Sequence, residues 1–241
     1  MLEVKSLERQ SGNQILLADI SVVIKRGEAV AVLGPSGAGK TLFLRSVAFV
    51  DTPTRGSIRF EHREWIFGKR TTRLPPPWPE IVLMFQSGAT VGHASLLDNM
   101  VFAYRQRPNW EQKRTIAQEM AERFALANVL NQRASLCSVG QRQRTAFIRT
   151  IVSDAKLILL DEPTAALDPA QTENVGDAVL EHKRTGRSFF ISTHMLGLAK
   201  KVCDRFIYIQ DGKILARGAI EALDNPMHPD LRRFVQLSSL R

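Results

Sequence analysis

The sequence predicts an α/β fold with a mixed central sheet, an N-terminal antiparallel β layer and a helical segment inserted between them and the rest. Three observations predict it. A glycine-rich loop at 34–41 lies between the apolar run at 29–33 and a stretch in which Leu42, Leu44, Val47 and Ala48 recur with helical spacing. Further apolar runs at 81–85, 157–160 and 188–192 end in polar residues: Gln86, then Asp161 and Glu162, then Thr193 and His194. Open α/β sheets bind ligands at such strand ends. Finally, residues 2–5, 20–25 and 57–61 alternate apolar with polar, as half-buried strands do.

Taken in order, the first two alternating strands flank the turn-forming Ser11-Gly12-Asn13, and Lys25-Arg26-Gly27-Glu28 turns the chain into the strand that feeds the glycine-rich loop. Pro53 and Gly56 separate the first helix from the next strand. From 62 to 80 the pattern is lost, and Pro75, Pro76, Pro77 and Pro79 predict a surface loop. The run at 81–85 reads as a strand buried on both faces. Residues 95–139 read as helical: Asn109 is placed to cap a helix with Ile116, Ala117, Met120, Ala121 and Phe124 on its packed face, and Glu111, Lys113, Arg114, Glu119 and Glu122 elsewhere. Ser138 and Gly140 precede another helical stretch through Ile148, Ile151 and Val152. After the strand at 157–160, Pro163 and Asp168-Pro169 mark turns before a helix over 170–184. Asp211-Gly212 predicts a hairpin between 205–209 and 213–216, and a helical tail follows from 219, broken at Pro226 and Pro229.

The chemistry resides in the loop. Gly34 and Gly39 bracket four residues and are followed by Lys40 and Thr41, fitting the phosphate-binding pattern G-x-x-x-x-G-K-[ST]. Wrapping a polyphosphate takes several backbone N–H groups at close range, which side chains would obstruct. Lying between strand and helix, the loop also aims a helix N-terminus at the anion. The expected cradle is Gly34, Pro35, Ser36, Gly37, Ala38, Gly39, Lys40, Thr41 and Leu42. Lys40 supplies a point charge between the β- and γ-phosphates, and the Thr41 hydroxyl ligates Mg²⁺. Adjacent carboxylates at a buried strand end are costly without a cation. Magnesium on a bound nucleotide meets that cost if Asp161 holds the ion and Glu162 polarises the attacking water.

Composition is globular, with 44% hydrophobic and 24% charged residues among 241. No run reaches the roughly eighteen apolar residues of a membrane span, and the start MLEVKSLERQ is too charged for a secretory leader, which predicts a cytosolic chain. Cys137 and Cys203 lack metal-site spacing and read as thiols. The net charge of +9 invites contact with nucleic acid or an anionic membrane surface, but the 33 Lys and Arg are spread along the chain, so specific nucleic-acid binding is not expected.

From about Leu2 to Gly218 the motifs, in this order, resemble the ATPase subunit of ATP-binding-cassette (ABC) transporters. The resemblance implies a P-loop NTPase fold and a single nucleotide-binding domain over 1–241, with a helical subdomain at about 95–150 and a C-terminal helical tail at 219–241. It makes 34–41 the Walker A loop, Gln86 the Q-loop glutamine and a third magnesium ligand beside Thr41 and Asp161, 157–162 Walker B, Asp168 the D-loop and His194 the switch histidine. Glu162, His194 and Gln86 are then the catalytic set. Two cassettes are expected to face head to tail around ATP, with Ser138, Gly140 and Gln141 of one touching the γ-phosphate held by the other. The implied partners are transmembrane permease subunits, whose coupling helices dock on the helical subdomain, a second cassette (a homodimer) and a solute-binding protein. The implied location is peripheral, on the cytoplasmic face of the inner membrane.

Two positions depart from the family. Its Leu-Ser-Gly-Gly-Gln signature carries Cys137 and Val139 here, which bears on close backbone approach, and Ser11 stands where an aromatic residue commonly stacks on adenine. The tail, with Asn225-Pro226 and Arg232-Arg233-Phe234, is similar to that of polar amino-acid importers. Alternatives are a weakly hydrolysing cassette of an asymmetric pair, suggested by Val139, and a soluble cassette acting on ribosomes or DNA, suggested by the charge.

Overall fold

The computed structural model describes residues 1–68, 72 and 74–238; the end of the anticipated tail, 239–241, and part of the 62–80 segment lie outside them. Two sheets carry the fold. The first is antiparallel, in the order β2-β1-β4-β5, from β1 (Leu2–Ser11), β2 (Gln14–Ile24), β4 (Arg55–Phe60) and β5 (Arg63–Phe67). The second, β10-β9-β3-β8-β7-β6, uses β3 (Ala29–Leu33), β6 (Ile81–Met84), β7 (Leu157–Asp161), β8 (Ser188–Ser192), β9 (Arg205–Gln210) and β10 (Lys213–Ala219). It is parallel except at β10, which the Asp211-Gly212 hairpin turns back antiparallel to β9.

The central strands are apolar throughout because each face packs on a different core. Val30, Val32, Leu157, Leu159, Phe190 and Ile207 face the antiparallel sheet and helix α1 (Lys40–Val47). Ala31, Leu33, Ile158, Leu160, Phe189 and Phe206 face the helices α2 (Leu96–Val101), α3 (Trp110–Arg123), α4 (Val139–Val152), α5 (Pro169–Arg184) and α6 (Leu196–Val202). The tail forms a 3-10 turn, Ile220–Leu223, and α7 (Pro229–Ser238).

Several expectations are corrected. The segment 62–80 is not all loop: β5 pairs with β4, its Trp65 is buried and its Ile66 half-exposed, an alternation masked in sequence by Arg63 and Glu64. Those charges sit in ion pairs, Arg59 with Glu64 and Arg63 with Glu80. The β6 strand lies at the edge of its sheet, so Val82 and Leu83 are only partly covered. The helical stretch is interrupted by 3-10 turns at Phe102–Tyr104, Ala127–Val129 and Ala134–Leu136. Asn109 occupies the N-cap position of α3, but its side chain accepts no capping bond.

The packed face of α3 is as expected, with Ala117, Ala121 and Phe124 fully buried. Lys113, however, is buried rather than solvated. Its ammonium donates to the Val152 carbonyl at 2.8 Å, pairs with Asp154 and lies 4.9 Å from the Tyr104 ring centre. Burial of its stem and three satisfied directions for its head explain how a lysine reaches this position.

Beside this cluster, partial burial and the neighbouring Arg187 push the His182 imidazole down to about 4 from its ordinary 6.5. Glu181 acts in the opposite sense, while Arg123 and Lys113 add to the depression. Since the folded state binds the proton more weakly than the unfolded chain, the stabilisation from neutral His182 is complete above about pH 6.5 and is lost as pH falls towards 4. Urea midpoints are expected to fall between about pH 7 and about pH 5, with a shallower fall for His182→Gln; equal slopes for the two proteins would contradict the assignment.

Candidate active site

Four parallel strands bring the polar residues together. In the order β3-β8-β7-β6 their C-terminal ends are neighbours, with Val32 opposite Ser192, Ser192 opposite Asp161, and Met84 opposite Leu160. The loop after β3, Gln86 after β6, Glu162 after β7 and His194 after β8 therefore meet at one edge.

Glycine shapes the loop at positions where geometry leaves no alternative. Gly34 has φ +148°, and a Cβ there would lie 2.1 Å from the Ile209 carbonyl oxygen. Gly39 has φ +103° at the N-cap of α1, where a Cβ would meet the Leu17 side chain at 2.9 Å. The β9–β10 turn braces the loop, since the Gly212 N–H donates to the Ala38 carbonyl at 3.1 Å. Lys40, the first residue of α1, folds its ammonium back over the loop and donates to the carbonyls of Gly34 at 2.8 Å and Pro35 at 2.9 Å. Burial lowers its pKa from the ordinary lysine value, opposed by the charges of Glu162 and Asp161.

Those acids are held differently. Asp161 is 3% exposed, and one of its oxygens accepts from the Ser192 hydroxyl at 2.5 Å, leaving the second oxygen for another ligand. Glu162 has a left-handed backbone, φ +48°, and its N–H donates to Ser192, to the hydroxyl at 3.0 Å and the carbonyl at 3.1 Å. Its carboxylate lies 2.9 Å from Nδ1 of the half-exposed His194.

A cavity of about 370 Å³ is lined by Gly34, Pro35, Ser36, Lys40, Gln86, Glu162 and His194. Most of the expected catalytic and cradle residues thus face one space. Gly37, Gly39, Thr41 and Leu42 line an adjoining cavity of about 380 Å³ with Leu16, Arg45 and Asp51. Among the described residues no aromatic one lines that second cavity, and Ser11 sits exposed at the β1–β2 turn, opposite Gln14. Ala38 is buried beneath the loop.

Ser138, Gly140, Gln141 and Asp168 line neither cavity. Ser138 caps α4 in a reciprocal box with Gln141, at 3.2 and 2.7 Å, and Asp168 caps α5 by accepting from the Gln171 N–H at 2.8 Å. Val139 is the first helical residue of α4 and is 62% exposed; it does not take positive φ, so the departure from glycine there costs no backbone strain.

The sequence reading missed Ser192, which ties both acids to the neighbouring strand, and Gln143, which is buried against the Glu162 turn. It placed a helical tail in the chain but not at the site, where Phe234, Leu237 and Ser238 of α7 wall the first cavity while Phe234 packs 5.5 Å from the Tyr208 ring. Polarity in the otherwise apolar end of β8 was the available signal for Ser192; the other two depend on long-range packing.

Among the described residues no cluster of three His, Cys, Asp or Glu is placed to hold a metal. The donors on offer are the exposed Thr41 hydroxyl, the second oxygen of Asp161 and Gln86. So sparse a set suits an ion that keeps waters and phosphate oxygens as its other ligands, as Mg²⁺ does.

A family model described as ABC transporter matches residues 17–165. The arginine transport ATP-binding protein ArtM of Bacillus subtilis is 32% identical over 220 residues, covering 90% of this chain and 91% of that protein. The phosphonates import ATP-binding protein PhnC of Bradyrhizobium diazoefficiens is 34% identical over 241 residues, covering 96% and 89%. A solved dimer of the ATP-binding cassette MJ0796, in a post-hydrolysis state bound to ADP and Pi, superposes with a TM-score of 0.79 at 25% identity, over 91% of this chain and 99% of that one.

Proposed function

The chain belongs to the ABC transporter family and is an ATPase of that family, and from that premise we propose that it drives import of a small polar solute, such as an amino acid, as a peripheral subunit on the cytoplasmic face of the membrane. The observation that carries the reading is the convergence of Lys40, Gln86, Glu162 and His194 on one cavity beside the glycine loop. Similarity to transport subunits for arginine and glutamate and to import subunits for cystine supports the solute class, and similarity to phosphonate import subunits widens it to other small polar solutes.

In this reading the loop N–H groups and Lys40 bind the triphosphate, with Lys40 exchanging two loop carbonyls for phosphate oxygens. Thr41, Asp161 and Gln86 hold magnesium, which neutralises charge on the phosphates. Glu162 orients and accepts a proton from the attacking water, and His194 holds the Glu162 carboxylate in place at 2.9 Å. The head-to-tail pair supplies what one chain lacks: the capped start of α4 and Asp168, both outside the cavity, reach the γ-phosphate only from a second copy. The likeness to a dimeric cassette supports such pairing.

Among the described residues no helix is long and apolar enough to cross a membrane; in this reading transmembrane permease subunits carry the solute. Their docking place in this reading is a groove of about 320 Å³ between the β6 edge and the helical segment, with Trp78, Val82, Phe85, Met100 and Ala103 among its walls and Arg107 beside them. Trp78 is 57% exposed there, a large apolar surface left open for a partner. The full chain is expected to co-purify with integral membrane proteins from detergent-solubilised membranes. Ala103→Glu, on the exposed 3-10 turn, is expected to lose them while binding ATP as before. Co-purification with RNA or DNA, or an undiminished membrane partner for the variant, would overturn the corresponding part of the proposal.

A further inference from the structure

We propose that Gln143 is a positioning residue for hydrolysis: its amide staples α4 to the turn that carries Glu162, so the orientation of α4 sets where the Glu162 carboxylate points. The inference rests on Glu162 being the general base of the ATPase. Gln143 is 3% exposed. Its Nε2 donates to the Glu162 carbonyl at 2.8 Å, and its Oε1 accepts from the Ala166 N–H at 2.9 Å. The two bonds grip both ends of the turn through its backbone, fixing the path of the chain rather than any one side chain.

The turn needs such a grip. A left-handed glutamate is strained and persists only where its surroundings hold it. Ser192 holds the Glu162 N–H from one side and Gln143 holds the carbonyl from the other. Ser192 is locked in the sheet between Val32 and Asp161, whereas Gln143 belongs to a helix that also reaches other parts of the molecule. The start of α4 rests on the same turn, since a Cβ at Gly140 would come within 2.9 Å of the Ala166 carbonyl. Farther along α4, Arg149 donates to the Gly88 carbonyl at 2.8 Å and the Ala89 carbonyl at 3.1 Å, in the segment that follows Gln86. Arg149, Thr150 and Ser153 also wall the exposed groove. One helix therefore touches the groove, the Gln86 segment and the Glu162 turn, and Gln143 is its hydrogen-bonded contact with the last.

Two variants of the full chain separate positioning from bulk packing. Gln143→Met keeps the volume and loses both bonds; Gln143→Glu keeps the length and the acceptor but loses the Nε2 donor. Misplacing a catalytic group by about 1 Å costs up to roughly 100-fold, so kcat is expected to fall at least about tenfold in both variants, with KM for ATP within about twofold of wild type. In an E162Q background Q143M is expected to bring no further loss, because the base it positions is already gone. Wild-type kcat in either variant, KM rising in step with the fall in kcat, or losses that multiply in the double variant would each overturn the proposal. Should Q143M fail to fold, Q143E alone decides. An inactive wild-type chain would instead overturn the hydrolytic reading of Glu162, whereas an active wild type with an unaffected Q143E overturns only the role of Gln143.

Discussion

Glu162→Gln is expected to lower ATP turnover by roughly 10²–10⁴-fold, the range that a general base contributes, and to leave nucleotide binding intact. Glutamine preserves the shape of the side chain and an oxygen within reach of His194, but its carbonyl is too weak a base to take a proton from water. The backbone bonds that hold this residue, from its N–H to Ser192 and from Gln143 to its carbonyl, do not involve the carboxylate, so the turn is expected to survive the change. Losing a negative charge beside a triphosphate favours binding. The measurement is phosphate release by the full chain under saturating ATP and magnesium, paired with binding of a fluorescent ATP analogue. Turnover at the wild-type rate would remove Glu162 from the mechanism, and loss of binding with turnover would mark it as structural.

Lys40→Ala has the second-largest expected effect, on affinity rather than rate. Truncating one partner of a buried, hydrogen-bonded charge pair costs roughly 2–5 kcal/mol, or about thirty- to several-thousand-fold in Kd. Lys40 fits that description, being partly buried, at the first position of α1 and coupled electrostatically to both Glu162 and Asp161. In the folded chain its ammonium donates to the Gly34 and Pro35 carbonyls, on a loop that is otherwise exposed at Pro35, Ser36 and Gly37. Water can replace the lysine there, so thermal stability is expected to change little. Titration calorimetry with ATP and magnesium checks the first expectation and thermal unfolding the second. An unchanged Kd would mean that the loop binds phosphate through its backbone alone.

What could be read in advance follows from the range of the interactions involved. The central strands and their polar ends were legible because burial on both faces forces an uninterrupted apolar run, and the chain must leave that run at a fixed edge. The cradle was legible because its glycines answer local demands, a left-handed backbone at Gly39 and a neighbouring strand against Gly34. β5 was not, since an edge strand with a solvated face needs little apolar sequence, and Trp65 and Phe67, two residues apart, mark its inner side. Lys113 misled because the carbonyl and carboxylate that receive it come from Val152 and Asp154, far away in sequence, and close over it beside the Tyr104 ring only in the folded chain. For the same reason Gln143 read as one more polar residue in a helix. Its partners, Glu162 and Ala166, belong to a turn that only the folded chain brings to α4.

Both cysteines are buried, and desolvation pushes each thiol above the ordinary cysteine range, so neither offers a ready thiolate at neutral pH. A new cysteine on the surface, for instance in place of the exposed Ser36 at the rim of the cradle or Leu136 just ahead of α4, is therefore the site that a maleimide dye or spin label modifies first. Separations between labels on two copies of the chain become measurable without first removing Cys137 or Cys203, so the proposed pairing can be tested in the otherwise native sequence.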